Sequence, residues 1–332
     1  MDIYEQYSLL ETISMSELYE KTYRLNPPLI DGFLYQGVYL FVGAPKLGKS
    51  FFMLQLAYHV STGTDLWNYH VRKGKVLYLA LEDNNRRLQE RLYRMFGEES
   101  TPDLFISTSA KTFDDGLLEQ IQIFINENPE LSLVIIDTLQ MIRADFTDKY
   151  SYSKDYDIIR EMKDFASENG ICLMLVHHTR KQQADDKFDM ISGTNGLMGA
   201  ADGAFMLYKE KRSATSAVIE VSGRDQPDMK VHITRDIASL AWNAEKIEVE
   251  SFAPEPEPLL EAVAKFITPE NPVWCGTATE LLEHIKLDIP PNKITTRLNI
   301  NAGRLHDEYS IDYASMRKSS ARLLAFRLID DN

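Results

Sequence analysis

Eight residues, Gly43-Ala44-Pro45-Lys46-Leu47-Gly48-Lys49-Ser50, fit the pattern G-x-x-x-x-G-K-[ST]. That order of residue types is built to hold a triphosphate. The glycines let backbone N–H groups wrap the phosphates, Lys49 reaches the β- and γ-phosphates, and the Ser50 hydroxyl ligates Mg²⁺. The bare pattern arises by chance in roughly one chain in a hundred of this length, so its flanks matter. Before it, Gly37 to Val42 is an apolar, β-branched and aromatic run of buried-strand type; after it, Phe51 to Val60 reads as a helix. Strand, loop and helix in that order aim the positive end of the helix dipole at the phosphates. The expected ligand is ATP with Mg²⁺, bound by residues 43–50 and by Phe51 at the helix start.

Hydrolysis also needs a metal carboxylate and a group that activates water. Leu133-Val134-Ile135-Ile136-Asp137 is an apolar strand ending in a carboxylate, where Asp137 can share the Mg²⁺ with Ser50. Capping of a following helix is the plainer use of such an aspartate. A second strand, Val76 to Leu81, ends in Glu82-Asp83. A carboxylate at the tip of a neighbouring parallel strand can orient and deprotonate the attacking water, and helix capping before Asn84 is the competing use, more so for Asp83. A third strand, Ile171 to Val176, runs into His177-His178-Thr179, a place from which a polar side chain can hydrogen-bond the γ-phosphate. Arg224 follows a further strand and suits an arginine supplied to a neighbour's triphosphate, or a surface arginine paired with Asp225.

These groups require a scaffold that brings strand ends together. Strands are expected at Lys75–Leu81, Leu104–Thr108, Leu131–Ile136 and Ile171–Val176, with helices at Asn84–Phe96, Phe113–Asn126 and Lys154–Glu168. Such alternation of apolar strands with helices implies a parallel sheet covered on both faces. From Gly203 onward, Ala204–Lys209, Ala217–Val221, Met229–Thr234 and Leu240–Trp242 read as an antiparallel extension. Residues 1–24 form a helical lead-in, 25–250 the nucleotide-binding domain, and 251–258 a Pro-rich acidic linker. Residues 259–332 read as a small domain of three helices, at Leu259–Ile267, Thr277–Ile285 and Lys293–His306, with a hairpin of Tyr309–Tyr313 and Ala321–Leu328. This is the pattern of a winged helix-turn-helix, or of a solvated protein-docking module.

Composition narrows the classes. A formal charge of −14 argues against a globally basic nucleic-acid coat but leaves room for a local basic surface. Basic residues outnumber acidic ones between Lys293 and Arg327, which fits a phosphate-facing patch. Cys172 and Cys275 have no partner at zinc-ligand spacing and suggest neither a disulfide framework nor a zinc site. With no signal peptide and no apolar run of membrane-spanning length, a cytoplasmic protein is expected. Two long loops, 143–153 and 180–202, are of the kind that carries function. In a ring they would line the pore and meet single-stranded DNA, with Arg180, Lys181 and Lys187 contacting phosphates and Asp185, Asp186 and Asp189 opposing them.

Taken together, Pro28-Leu29-Ile30-Asp31-Gly32, Gly43–Ser50, Leu79-Ala80-Leu81-Glu82-Asp83, Ile135-Ile136-Asp137-Thr138 and His177-His178-Thr179 resemble, in that order, the RepA-like hexameric ATPases of the RecA/DnaB-type P-loop superfamily. The resemblance covers about residues 25–245. It implies a RecA-like core, Lys49 and Ser50 on phosphates and Mg²⁺, Asp137 as metal carboxylate, Glu82 as catalytic base, and His178 as γ-phosphate sensor ahead of His177. It also implies Arg224 as a trans-acting finger in a homo-hexameric ring. Two departures stand out. Ser222 occupies the position of a lysine found in DnaB-type helicases, and Pro45-Lys46-Leu47 replaces small residues inside the loop. The stretch Trp274 to Leu282 resembles a C-terminal winged-helix module of mobile-element replication proteins and implies contact with duplex DNA or replication proteins. The expected activity is an ATP-driven ring motor, a RepA-type helicase of a plasmid, phage or integrative element. The alternative is a DNA-associated ATPase switch that assembles or recruits partners without unwinding.

Overall fold

The computed structural model describes residues 12–23, 27–143, 151–179, 188, 195–209, 214–224, 226–249, 256–317 and 322–329. They fall into two compact units, one of Pro28–Phe252 and the other within Met1–Pro27 and Ala253–Asn332.

The larger unit carries strands β1 (Gly37–Gly43), β2 (Lys75–Ala80), β3 (Leu104–Ser107), β4 (Leu131–Asp137), β5 (Cys172–His178), β6 (Gly203–Tyr208), β7 (Ser216–Gly223), β8 (Met229–Arg235) and β9 (Trp242–Val249). They form one sheet in the order β3-β2-β4-β5-β1-β6-β7-β8-β9. The central strands are apolar along their whole length because both faces are covered, as their continuous burial shows. On one face, α2 (Lys49–Thr62) and α3 (Asn85–Phe96) enclose a core with Phe33, Phe41, Phe52 and Phe205 at its centre. On the other, α4 (Leu117–Glu127), α5 (Ser151–Asn169) and the short α6 (Asn195–Ala200) cover Val38, Leu40, Leu79, Ile136 and Leu173. No helix among the described residues is long and apolar enough to cross a membrane.

One expectation is corrected here. The sheet extension is not antiparallel from Gly203, because β6 pairs parallel with β1 through Tyr39↔Gly203 to Gly43↔Leu207. Antiparallel pairing begins only between β6 and β7 and continues to β9. The chain between His178 and Gly203 is long enough for a crossover, which parallel pairing needs and a tight turn cannot supply. The last strand also differs. Its apolar start at Trp242 marks the beginning of an eight-residue strand, whose Glu- and Lys-rich remainder is that of a sheet edge.

The smaller unit contains α1 (Met15–Glu20), α7 (Pro258–Phe266), β10 (Val273–Gly276), α8 (Ala278–Ile285), α9 (Pro291–Ile300), α10 (Ala302–Tyr309), β11 (Ile311–Arg317) and β12 (Arg322–Leu328). Its strands form an antiparallel sheet in the order β10-β12-β11 over a core that includes Leu259, Leu281, Leu298 and Phe326. Thr277 caps α8 in a reciprocal capping box with Glu280. The single helix expected over Lys293–His306 is two, divided at Asn301. Helix α1, expected as part of a separate lead-in, belongs to this unit. The buried Asn299 amide donates to the Tyr19 carbonyl (2.9 Å), and its oxygen accepts from Thr22 (3.3 Å), Tyr313 (2.9 Å) and Ser315 (3.1 Å).

Candidate active site

The ends of β1, β2, β4 and β5 meet along one edge of the sheet, since these strands are parallel and in register. Between β1 and α2 the loop turns through two left-handed residues, Lys46 (φ 66°) and Gly48 (φ 104°). Gly48 is obligatory for two reasons. Its φ disfavours any side chain, and an added Cβ would lie 3.0 Å from the Trp242 ring. That indole also donates from Nε1 to the Gly48 carbonyl (3.3 Å). Trp242 is itself clamped: the Gln55 amide accepts from its N–H (2.8 Å) and donates to its carbonyl (2.9 Å), which Trp67 Nε1 also reaches (2.8 Å). The loop is thus braced by a residue from the last strand of the sheet.

Lys49, only 5% exposed, donates to the carbonyls of Gly43 (2.7 Å) and Ala44 (3.1 Å) and lies 3.0 Å from His178 Nδ1. Burial lowers its pKa to about 8, against the opposing pull of Asp137 and Glu82. Burial, then the lysine charge, also depresses His178, so its neutral ring accepts from the ammonium. It is therefore His178, and not the buried His177, that stands beside Lys49.

Asp137 ends β4 in a buried position and is joined to Thr138 by a cis peptide. Its carboxylate accepts from the fully buried Tyr78 hydroxyl (2.8 Å) and is hydrogen-bonded to Ser50. Desolvation still holds its pKa above the ordinary value, with these two hydrogen bonds opposing the rise. A buried carboxylate short of positive charge beside a serine hydroxyl suits a hard, oxygen-seeking cation. Ser50 and Asp137 would hold Mg²⁺, and the described residues contain no cluster of three or more His, Cys, Asp or Glu that would suggest a different metal. Glu82 lies just past β2 and accepts from Thr138 Oγ1 (2.9 Å), which fixes one carboxylate oxygen and leaves the other to take a proton. Asp83, by contrast, is engaged by Arg87 (2.7 Å) and Arg91.

Beside the loop, the Phe51 ring has the Arg235 guanidinium 4.0 Å from its centroid and that of Arg91 at 5.0 Å. These groups form a cationic and aromatic cluster beside the phosphate-binding loop.

Arg224 is elsewhere. Its N–H donates to the Asp202 carbonyl (2.9 Å) and its guanidinium to the Gly199 carbonyl (2.6 Å), while Asp202 accepts from the Val38 N–H (2.9 Å). Val38 is near the start of β1, so Arg224 sits at the opposite edge of the sheet from Gly43. The separation along the strand is about 17 Å. The DNA-loop candidates at 143–153 and 180–202, including Arg180, Lys181 and Lys187, lie largely outside the described residues, as does Asp225. Sequence reasoning did not find Tyr78, Thr138, Gln55, Trp242 or Arg235. Of these, Thr138 closes a recognised motif and Tyr78 directly precedes one, and neither carries a role in the sequence reading.

Residues 10–184, just over half of the chain, match the AAA domain family model. No curated protein matches the sequence. Among solved structures, one of an ATPase domain on its own is similar at a TM-score of 0.53 and 17% identity, over 64% of this chain and 85% of that one. A DnaB-like replicative helicase, described with its interactions with primase, is similar at 0.52 and 18% identity, over 63% of this chain and 57% of its own length. At these identities the likeness is one of fold, and it agrees with a RecA-like P-loop core. The chain belongs to the AAA domain family.

Proposed function

We propose that this chain is an ATP-hydrolysing ring motor acting on DNA, a RepA-type helicase in the replication of a plasmid, phage or integrative element. The observation that carries the reading is the division of labour between the two sheet edges. Lys49, Ser50, Glu82, Asp137 and His178 share one edge, whereas Arg224 stands about 17 Å away along the strand direction, out of reach of its own subunit's phosphates, which suits an arginine supplied to another subunit's nucleotide. Lys49 holds the β- and γ-phosphates. The Glu82 carboxylate, oriented by Thr138, accepts the proton of the attacking water. His178, hydrogen-bonded to Lys49 before nucleotide arrives, exchanges that partner for the γ-phosphate and so senses its loss. Mg²⁺ held by Ser50 and Asp137 would neutralise phosphate charge. Arg224 from the next subunit stabilises charge in the transition state.

The smaller unit runs helix, strand, helices, then two strands, an order compatible with a winged helix that binds duplex DNA or replication proteins. Its charge supports a modest contribution. Arg297, Arg304 and Arg322 are paired with Glu257, Glu308 and Glu20. Between Lys293 and Arg327 this leaves Lys293, Arg317 and Arg327 as the exposed cations for phosphate contact among the described residues. An ATPase switch that assembles without unwinding is the second reading, favoured by the short side chain of Ser222 beside the finger.

The test is ATPase activity against protein concentration, with and without single-stranded DNA, alongside mass by light scattering. A motor shows steep concentration dependence, a ring-sized mass and DNA stimulation; assembly-dependent turnover indifferent to DNA selects the switch. Mixing Glu82→Gln with Arg224→Ala subunits, each inactive alone, restores activity at about a quarter of sites if the arginine acts in trans. No restoration removes that assignment.

A further inference from the structure

The two edges of the central sheet are chemically opposite. At the nucleotide edge, Arg87 and Arg91 share Asp83, and Arg94 and Arg235 have no carboxylate partner among the described residues. Their mutual repulsion, after burial, lowers the pKa of Arg235. From this edge projects the turn between β8 and β9. It is rigidly built: Asp236 accepts from the N–H groups of Ala238 (2.9 Å) and Ser239 (2.6 Å), and Arg94 donates to the carbonyls of Ile237 and Ala238, both at 2.8 Å. Yet its tip, Ile237, is 76% exposed, the most exposed large apolar side chain among the described residues.

At the opposite edge, the end of β7, the start of β8 and the end of β9 enclose a cavity of about 210 Å³ lined by Val221, Met229 and Val249 and rimmed by Ser222, Lys230, Glu220, Asp228 and Glu248. Lys230 pairs with Glu220 (3.2 Å) and Lys246 with Glu248 (2.5 Å), which leaves Asp228 as the rim carboxylate with no ion pair among the described residues. Register fixes its place: Met229 pairs with both Val221 and Val249, two residues before Gly223-Arg224. The cavity has room for one aliphatic side chain, and its net acidic rim, with Asp228 free of an ion pair among the described residues, complements Arg94 at the Ile237 turn.

We propose that the Ile237 turn of one subunit seats in the cavity beside Arg224 of the next copy. The proposal rests on reading Arg224 as acting in trans. If Arg224 reaches a neighbour's triphosphate, the cavity next to it must face that neighbour's nucleotide edge, from which Ile237 projects. The contact joins unlike surfaces, so it is head-to-tail and repeats until a ring closes. Arg94 meets Asp228 beside the apolar centre, and that pair keeps the register that brings the finger to the phosphates.

The experiment uses the full chain with the exposed Cys275 replaced (Cys275→Ser); Cys172 is buried and stays. Ile237→Cys and Val249→Cys are introduced singly and together, and oxidised with Mg²⁺ and a non-hydrolysable ATP analogue. The paired variant is expected to give a ladder of cross-linked dimers, trimers and larger species on a non-reducing gel, and each single variant monomers only. Monomers from the paired variant, in a sample that light scattering shows to be assembled, overturn the proposal. So does cross-linked dimer from a single variant in a yield equal to that of the paired one. Ile237→Asp supplies an independent reading: its ATPase midpoint in protein concentration should rise about ten- to hundredfold, with nucleotide binding by the monomer unchanged. An unmoved midpoint also overturns the proposal. If the parent chain never assembles, both the ring and this contact fall. Restored activity in the mixed Glu82→Gln and Arg224→Ala sample, without the ladder, keeps the trans arginine and removes only this contact.

Discussion

Nucleotide binding should take up a proton, and Lys49 sets how much. In the free protein its pKa is about 8 because it is buried against carbonyls and a neutral imidazole. A triphosphate supplies the missing negative charge and returns the lysine to its ordinary range near 10.5, a change of about 3 kcal/mol in favour of the protonated form. At pH 8 the free lysine is about half protonated, so binding should take up about 0.5 proton; the figure should be about 0.1 at pH 7 and about 0.9 at pH 9. The sign follows from the same values. Between about pH 8 and 10.5 the bound lysine holds a proton that the free one lacks, so affinity falls as pH rises, by up to about tenfold per unit. Stability of the nucleotide-free protein moves the other way in that window, rising with pH, because there the unfolded chain binds the extra proton. The assay is calorimetric titration in buffers of different ionisation enthalpy at about pH 8 and 9, above the titration of the terminal phosphate itself. The slope of observed enthalpy against buffer enthalpy gives the proton count. Tight binding with zero slope at both pH values would refute the reasoning, as would an unchanged slope in Lys49→Arg, whose guanidinium is always charged.

Tyr78→Phe removes a buried donor from Asp137 and should raise the Mg²⁺ concentration for half-maximal ATPase about five- to thirtyfold, equivalent to about 1–2 kcal/mol, with little change in fold by circular dichroism. Gly48→Ala meets both an unfavourable backbone angle and the Trp242 ring, and should abolish nucleotide binding measured by fluorescent-analogue titration. Trp242→Ala empties a fully buried site and should lower stability by about 3–5 kcal/mol in urea titration, whereas Trp242→Phe should lose much less stability. Asn299→Ala removes the amide that holds Tyr19 and Thr22, and limited proteolysis should then cut near residue 23 at lower protease concentration than in the parent, leaving ATPase per assembled ring unchanged.

The candidate catalytic edge was legible because its groups are local in sequence. Lys49 and Ser50 sit in a contiguous loop, and Asp137, Glu82 and His178 each end or directly follow an apolar strand that burial forces into the sheet centre. Parallel pairing then brings those ends together without further information. The direction of β6 was not legible, since an apolar six-residue strand looks the same in either orientation and only the length of the crossover decides. Nor was the bracing of the loop. Gln55 and Trp242 are 187 residues apart, and no spacing rule links a glutamine on a buried helix to a tryptophan that starts an edge strand. Arg235 was hidden for a related reason: among the described residues it has no carboxylate partner to suggest a role, and it rests on the face of Phe51 and the Leu240 carbonyl.

The bracing by Trp242 also sets the smallest working fragment of this molecule. The family match ends at residue 184, and every motif residue on the nucleotide edge lies before that point. A polypeptide cut there would carry Lys49, Ser50, Glu82, Asp137 and His178 and still lack the indole that closes over Gly48. Loss of the distal strands would remove both that brace and β6, the parallel neighbour of β1 that brings Phe205 into the core. An excised ATPase domain must extend at least through β9 to report on the chemistry of the intact chain.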